Sequence, residues 1–288
     1  MTPLTAHAIC LALVTADLLA RAWRIQWLLH GLGYRISFRE AFGVNAIGEA
    51  ACALSPLRIA GEPARLGTML RAGVPATAAF VAITYEVLAA WPVIIVVAAV
   101  LGWNYLPEWW AFAGPAMHRA IVTGWPIALF ITVLTLGAWA WTRRNLPAAT
   151  RPFKRPIKRM RVHWRRMPMW PILASLPLTF TNVLARALIL PVLASTLPHP
   201  PPFGPVLVGS IALLYSQLIL PTPSGAGAVD LGFVAGAAGD LGTDQGKMLL
   251  AWRFYTTIIG VVLGLVFAVR IFGIGVIRRM FKPGSMES

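Results

Sequence analysis

The chain has 288 residues, of which 58% are hydrophobic and only 12% are charged, and its mean hydropathy is +0.70. A soluble domain carries roughly 25% charged residues, so this composition excludes an ordinary soluble protein. The formal net charge is +15, but the basic residues lie in clusters between apolar segments, so we expect no nucleic-acid partner. We predict an all-α integral membrane protein.

Several apolar runs are each long enough to cross a bilayer. The first run ends at Arg21 without a small-residue cleavage site, so we expect no detachable signal peptide. Residues 22–39 alternate Trp and Leu with Arg, which predicts a helix that lies on the cytoplasmic surface. The apolar runs lie near 4–20, 74–101, 120–142, 169–196 and 248–277.

The distribution of basic residues predicts the orientation in the membrane. Residues 143–166 contain ten Lys or Arg and no acid, and smaller basic groups lie near 21–39 and 278–282. The loops expected at 102–118 and 198–204 are almost uncharged. By the positive-inside rule, the basic segments are cytoplasmic and the N-terminus is outside. We expect a bacterial or archaeal cytoplasmic membrane, with anionic lipids attracted to the basic segment 143–166.

Two segments are apolar but broken. Residues 41–72 contain a Ser-Pro break and must begin and end on the cytoplasmic side if the basic groups are placed as above. Residues 205–246 contain LPTPSGAG and must begin and end outside. Each predicts a re-entrant hairpin of two half-helices, and the two enter from opposite faces. Irregular backbone at membrane depth requires protein or water around it, so we expect the breaks to share a cavity.

Two similar units inserted from opposite faces form an inverted repeat. We therefore interpret residues 1–288 as a single transmembrane domain. Its parts are repeat 1 at about 22–142, a basic cytoplasmic linker at 143–168, and repeat 2 at about 169–280.

Several motifs resemble those of one family. They are ARAWRIQWLL, then IS-x-R-E-A, then P-x-R-x-x-GEPAR-x-G around the first break, and LP-x-P-x-G-x-G followed by an acid at the second. In this order they resemble the lysylphosphatidylglycerol synthase transmembrane (flippase) domain family, over about residues 10–275. Members usually have one more span before the R-x-W-R segment, so the chain looks as if it starts one helix late. It is similar to a stand-alone member without the aminoacyl-transferase domain.

The resemblance implies that the protein translocates a lipid rather than synthesises one. We expect a flippase or scramblase-like transporter that moves a polar-headgroup or polyprenyl-linked lipid, and not an enzyme. An ion or small-solute transporter built on the same repeat is the alternative. An integral-membrane enzyme of lipid metabolism is less favoured, because the chain lacks clustered aspartates and paired His and Arg motifs.

The candidate substrate-binding residues are charged side chains in or near the breaks and spans, where an unpaired charge is costly. Glu62 and Arg65 are spaced to share a helix face, and a purely anchoring ion pair is the other reading. Asp230 follows the second break and is expected to pair with Arg253 or Arg186 if its role is structural. The full set is Arg58, Glu62, Arg65, Glu86, Arg186, Asp230 and Arg253.

Further expectations concern smaller features. Arg58 and Arg186 are suited to gripping a lipid phosphate, and a structural pair between Glu86 and Arg253 is an alternative to a binding role. Asp17 is expected to pair with Arg21 at the interface.

We expect no metal, since the histidines are scattered, and no cofactor. A homo-oligomer is possible. Asn45, Glu49, Asn182 and Gln217 are candidate cavity-lining groups.

Overall fold

The computed structural model describes residues 1–55, 58–145, 154–217, 227–237, 241 and 244–273, and most of these residues are helical. Within these ranges, four helices are long and apolar enough to cross a membrane. The prediction of an all-α membrane protein is confirmed. The four helical stretches are Pro3–Gly31, Ala76–Ala111, Met169–Ala194 and Gln245–Phe272.

Local sequence explains where the first helices begin. Thr2 accepts from the backbone of Thr5 and Pro3 occupies the first turn, where its missing N–H costs nothing. Ser37 and Glu40 form a reciprocal capping box at the start of the second helix. The helices are α1 (Pro3–Gly31), α2 (Phe38–Leu54), α3 (Gly61–Arg71), α4 (Ala76–Asn145), α5 (Lys154–Arg166), α6 (Met169–Ala194), α7 (Phe203–Ser216), α8 (Ala228–Gly232), α9 (Gln245–Arg253) and α10 (Ile259–Phe272), with π-helical turns at Phe233–Ala237 and Phe254–Ile258.

Helices α1 and α6 pack side by side and run in opposite directions. At one end, the amino group of Met1 donates to the carbonyl of Ser195 at 3.2 Å. At the other end, Gly31 lies so close to Pro171 that a side chain there would overlap it. The two helices therefore form an antiparallel pair that is in contact from one end to the other.

The predicted surface helix at 22–39 is wrong. Helix α1 continues without a break to Gly31, and a turn at 32–37 leads into α2. No glycine or proline interrupts α1 after Pro3. The side chain of Arg24 is buried rather than exposed to headgroups. The carboxylate of Glu86 on α4 compensates its charge, which is what a buried arginine requires.

Helices α2 and α3 form a tight hairpin. Ala41 at the start of α2 and Met69 near the end of α3 belong to one buried cluster with Leu28 and Leu29, near the end of α1. Both ends of the hairpin therefore lie at the same end of the bundle. The helices approach closely at Gly61, where a Cβ atom would overlap the sulfur of Cys52. At 17 and 11 residues, each is shorter than the roughly 20 residues that cross a bilayer.

The second broken segment packs against a later part of α4 than the first hairpin does. Gly204, at the start of α7, abuts the ring of Tyr105, and the Nε1 of Trp109 donates to the carbonyl of Ala237 at 3.0 Å. The start of α7 and the π-helical turn at Phe233–Ala237 thus lie beside one short stretch of α4. The prolines of its predicted break, within 218–226, lie outside the described residues. Re-entry into the membrane and the inverted repeat stay predictions.

Helix α4 cannot be straight. A straight helix would place Asn145 about 90 Å from Tyr85. The hydroxyl of Tyr85 donates to the carbonyl of Trp164 at 3.1 Å, although the chain from Asn145 to Trp164 reaches at most about 50 Å. The helix therefore turns back on itself, as two successive spans would. The loop predicted at 102–118 is wrong in conformation, since these residues are helical and their low charge alone cannot distinguish a helix from a loop.

Candidate functional site

Nine charged side chains meet where helices α1, α2, α3, α4 and α6 surround the tip of the first hairpin. We call this group the arginine cluster. Among the described residues it contains five guanidinium groups and four carboxylates, which form two ion-pair networks that line one cavity. Its members are Asp17, Arg21, Arg24, Glu49, Arg58, Glu62, Arg65, Glu86 and Arg186.

Helix α1 supplies three members from one face. Asp17, Arg21 and Arg24 are spaced four and three residues apart, which places them in a row along the helix. Asp17 is the middle residue of this 29-residue helix, and Arg21 binds it at 3.1 Å. Asn182, near the middle of α6, also donates to Asp17. The network therefore reaches the centre of the α1 and α6 pair instead of remaining at its edge.

Glu49 is the hub of one half of the arginine cluster. Its carboxylate accepts from Arg21 at 2.8 Å, from Arg58 at 3.1 Å and from Arg186 at 2.9 Å. These arginines come from α1, from the hairpin break and from α6. One carboxylate on α2 thus links three separate parts of the chain, and its side chain is only 10% exposed.

Glu86 organises the other half. It accepts from Arg24, whose Nε lies 3.0 Å from Oε1, and from Arg65 on α3. Arg24 also donates to the hydroxyl of Thr179 at 3.0 Å. Arg65 binds Glu62 at 3.2 Å, as their spacing predicts, and Glu62 is half exposed. This half therefore extends from the buried interior to the surface at Glu62.

The backbone at the hairpin tip is unusual at Arg58. Its φ of +56° lies in the left-handed region, which costs a non-glycine residue roughly 1–3 kcal/mol. This conformation directs its guanidinium to Glu49 and, at 3.4 Å, to the Oε1 of Gln217. Gln217 closes α7, directly before the second predicted break. The tip of the first hairpin therefore meets the end of α7.

Two cavities flank this contact. One has a volume of about 360 Å³ and is lined mostly by side chains of the arginine cluster, with Asn45 and Asn182 beside them and Glu62 at its rim. The other, of about 150 Å³, is lined by Arg186, Tyr215 and Gln217 together with the apolar Ala90 and Ile94. Both cavities share Arg24, Arg58 and Asn182.

Asp230 and Arg253 form a separate ion pair at 2.7 Å. Asp230 also accepts from the backbone of Gly227, which holds the start of α8. The pair lies outside both cavities described above. Asp230 is therefore paired with Arg253 and not with Arg186. The alternative pairing of Glu86 with Arg253 is wrong, because Glu86 binds Arg24 and Arg65 instead.

Five of the seven predicted site residues lie in the arginine cluster, and their role in substrate binding stays a prediction. Sequence reasoning missed Arg21 and Arg24 as site residues and placed Asp17 at the interface. The available signal was the regular spacing of the three charges on one helix face within an unbroken apolar helix.

The chemistry of the arginine cluster favours an anion. Within the described residues, no group of three or more His, Cys, Asp and Glu side chains is arranged to hold a metal ion. Every carboxylate of the cluster already binds at least one arginine. Guanidinium groups bind phosphate and carboxylate with paired hydrogen bonds, so an incoming anion has donors available.

One family model matches most of the chain. The family model described as the lysylphosphatidylglycerol synthase TM region matches residues 2–264 of the 288-residue chain. The matched range includes every residue of the arginine cluster and both members of the Asp230–Arg253 pair. No curated protein and no solved structure matches the chain.

Proposed function

Since the chain belongs to the lysylphosphatidylglycerol synthase transmembrane-region family, a group of membrane proteins related to lipid handling, we propose that it moves a lipid with a phosphate-bearing headgroup between the leaflets of the membrane. It acts as a flippase or scramblase-like transporter, and the lipid carries acyl or polyprenyl chains. The observation that carries this proposal is the buried arginine cluster at the tip of the first hairpin, where Arg58 meets Gln217 at the end of α7.

The charge balance of the arginine cluster supports an anionic substrate. Its five arginines outnumber its four carboxylates, so one positive charge stays unbalanced within the described cluster. An unbalanced charge at membrane depth is costly, and such groups usually face a substrate path. A phosphodiester headgroup carries one negative charge and would restore neutrality.

The apolar wall of the smaller cavity supports a lipid rather than a fully polar solute. Ala90 and Ile94 line it on α4, next to Val87 and Trp91, which are exposed on the outer surface of the bundle. A headgroup could lie among the arginines while its chains remain beside this exposed apolar face. The bundle would then need to shield only the polar part of the substrate.

Purified protein in liposomes tests this proposal. A fluorescent phosphatidylglycerol in the outer leaflet is bleached by a membrane-impermeant reductant, and the fraction protected in the inner leaflet is followed over time. The proposal predicts faster exchange than in empty liposomes. Exchange equal to that of empty liposomes, together with uptake of radiolabelled inorganic phosphate, would instead support the small-solute alternative.

A further inference from the structure

We infer that Glu49 is a built-in counter-anion that occupies the arginines in the absence of substrate, and that a substrate phosphate replaces it between Arg58, Arg186 and Gln217. The inference rests on the proposed function and names the part of the site that takes the phosphate. Because Glu49 competes with the phosphate for the same arginines, it sets how tightly they bind an anion.

The contacts of Glu49 are those that a phosphate would make. Three guanidinium groups from three parts of the chain converge on its carboxylate within 3.1 Å. Arginine donates to carboxylate and to phosphate in the same geometry. A carboxylate that occupies such a position keeps the arginines paired and ordered until another anion arrives.

Gln217 supplies an unused donor at the same place. It is only 5% exposed, and its Oε1 accepts from Arg58, which fixes the orientation of the amide. Its Nε2 is buried and has no hydrogen-bond partner among the described residues. A buried unpaired donor costs about 1–3 kcal/mol, so an acceptor that enters the smaller cavity is favoured.

The exchange needs only a short movement of Glu49. A phosphate in the smaller cavity accepts from the Nε2 of Gln217 and from Arg58 and Arg186, all of which line that cavity. Glu49 then keeps its bond to Arg21, 2.8 Å away on α1. Gly260 lies beside the Glu49 side chain and leaves room for this shift. When the phosphate binds, Arg58 and Arg186 donate to it instead of to Glu49 on α2. The hairpin then loses its ion pair with α6.

The test uses the full chain in detergent and dimethyl phosphate, the simplest phosphodiester monoanion, as the probe. Its affinity is measured by calorimetry for the wild type, for Glu49→Gln and for Asp244→Asn. The last is a matched control, because it removes one carboxylate from an exposed pair with Lys247. We expect Glu49→Gln to bind the probe roughly tenfold more tightly, since a like charge has been removed. Asp244→Asn should bind as the wild type does.

Gln217→Met provides a second, independent measurement. It keeps the side-chain length but removes the donor, so it should weaken probe binding several-fold while the unfolding temperature stays close to that of the wild type. Unchanged or weaker binding in Glu49→Gln would overturn the inference, as would unchanged binding in Gln217→Met. If the wild type exchanges lipid in liposomes while these results appear, the inference fails and the proposed function stands.

Discussion

Arg24 on α1 and Glu86 on α4 form a buried ion pair, with 3.0 Å between Nε and Oε1, although they are 62 residues apart in the chain. Their side chains are only 9% and 5% exposed. A buried pair often adds little net stability, but removal of one partner leaves an uncompensated charge. The pair therefore explains why an arginine can lie inside an apolar helix, and it makes Glu86 a sensitive position.

Glu86→Gln should lower the free energy of unfolding by about 3–5 kcal/mol, because Arg24 and Arg65 both lose their charged partner. Glu62→Gln is the matched control, since Glu62 is half exposed and its pair is worth at most about 1 kcal/mol. Denaturant unfolding in detergent, followed by tryptophan fluorescence, measures both. Equal losses in the two variants would contradict the assignment of Glu86 as the buried partner of both arginines.

Gly61→Ala should destabilise the first hairpin by about 1–3 kcal/mol, because the added methyl group would overlap the sulfur of Cys52. Gly67→Ala is the control on the same helix, where a methyl group meets no atom within 4 Å. Removal of a glycine from a helix interior should there be neutral or slightly stabilising. Thermal unfolding of the purified variants measures the difference.

The clash has a specific partner, so it can be relieved. Cys52→Ala removes the sulfur and should restore most of the stability of Gly61→Ala in the double variant. If the double variant is no more stable than Gly61→Ala alone, the close approach of α2 and α3 is not the cause of the loss.

Asp230 and Arg253 should show an energetic coupling of about 1 kcal/mol, since Asp230 is one third exposed and the pair is partly screened. The cycle comprises Asp230→Asn, Arg253→Gln and the double variant, with thermal unfolding as the measurement. The same cycle between Asp230 and Arg186 should show no coupling. Coupling to Arg186 instead would mean that the pair is wrongly assigned.

Orientation in the membrane can be tested by labelling single cysteines in a background that lacks Cys10 and Cys52. The side chain of Lys247 is 83% exposed, and Arg161 is exposed on α5. In intact cells, an impermeant thiol reagent should label Lys247→Cys and should reach Arg161→Cys only after permeabilisation. The reverse pattern would invert the predicted topology.

The sequence allowed prediction of the helical membrane fold and of the hairpin at residues 41–72, because hydrophobic length and helix breakers are local properties. It misled at Arg21 and Arg24, since the cost of burying an arginine depends on whether an acid reaches it. Asp17 reaches Arg21 from the same helix, but the other acids are Glu49 and Glu86, 28 and 62 residues away. Nothing in the local sequence around α1 indicates that distance.

In the predicted site too, contacts within one helix could be predicted, whereas contacts between helices could not. The pairing of Glu62 with Arg65 follows from helix periodicity and is present at 3.2 Å. The convergence of Arg58 and Arg186 on Glu49 depends on how α2 and α6 pack, which periodicity cannot give. The charge distribution predicted two successive spans where α4 turns back on itself, but the loop that it predicted at residues 102–118 is helical.

Lipid exchange by an arginine variant tests the central claim most directly. In liposomes that contain wild-type protein, Arg186→Gln or Arg165→Gln, the rate of fluorescent phosphatidylglycerol exchange is compared at equal protein content. Arg165 is exposed on α5 and serves as the control. The account predicts a loss of at least about tenfold for Arg186→Gln and little change for Arg165→Gln. Rapid exchange by the wild type with equal rates in both variants would contradict it.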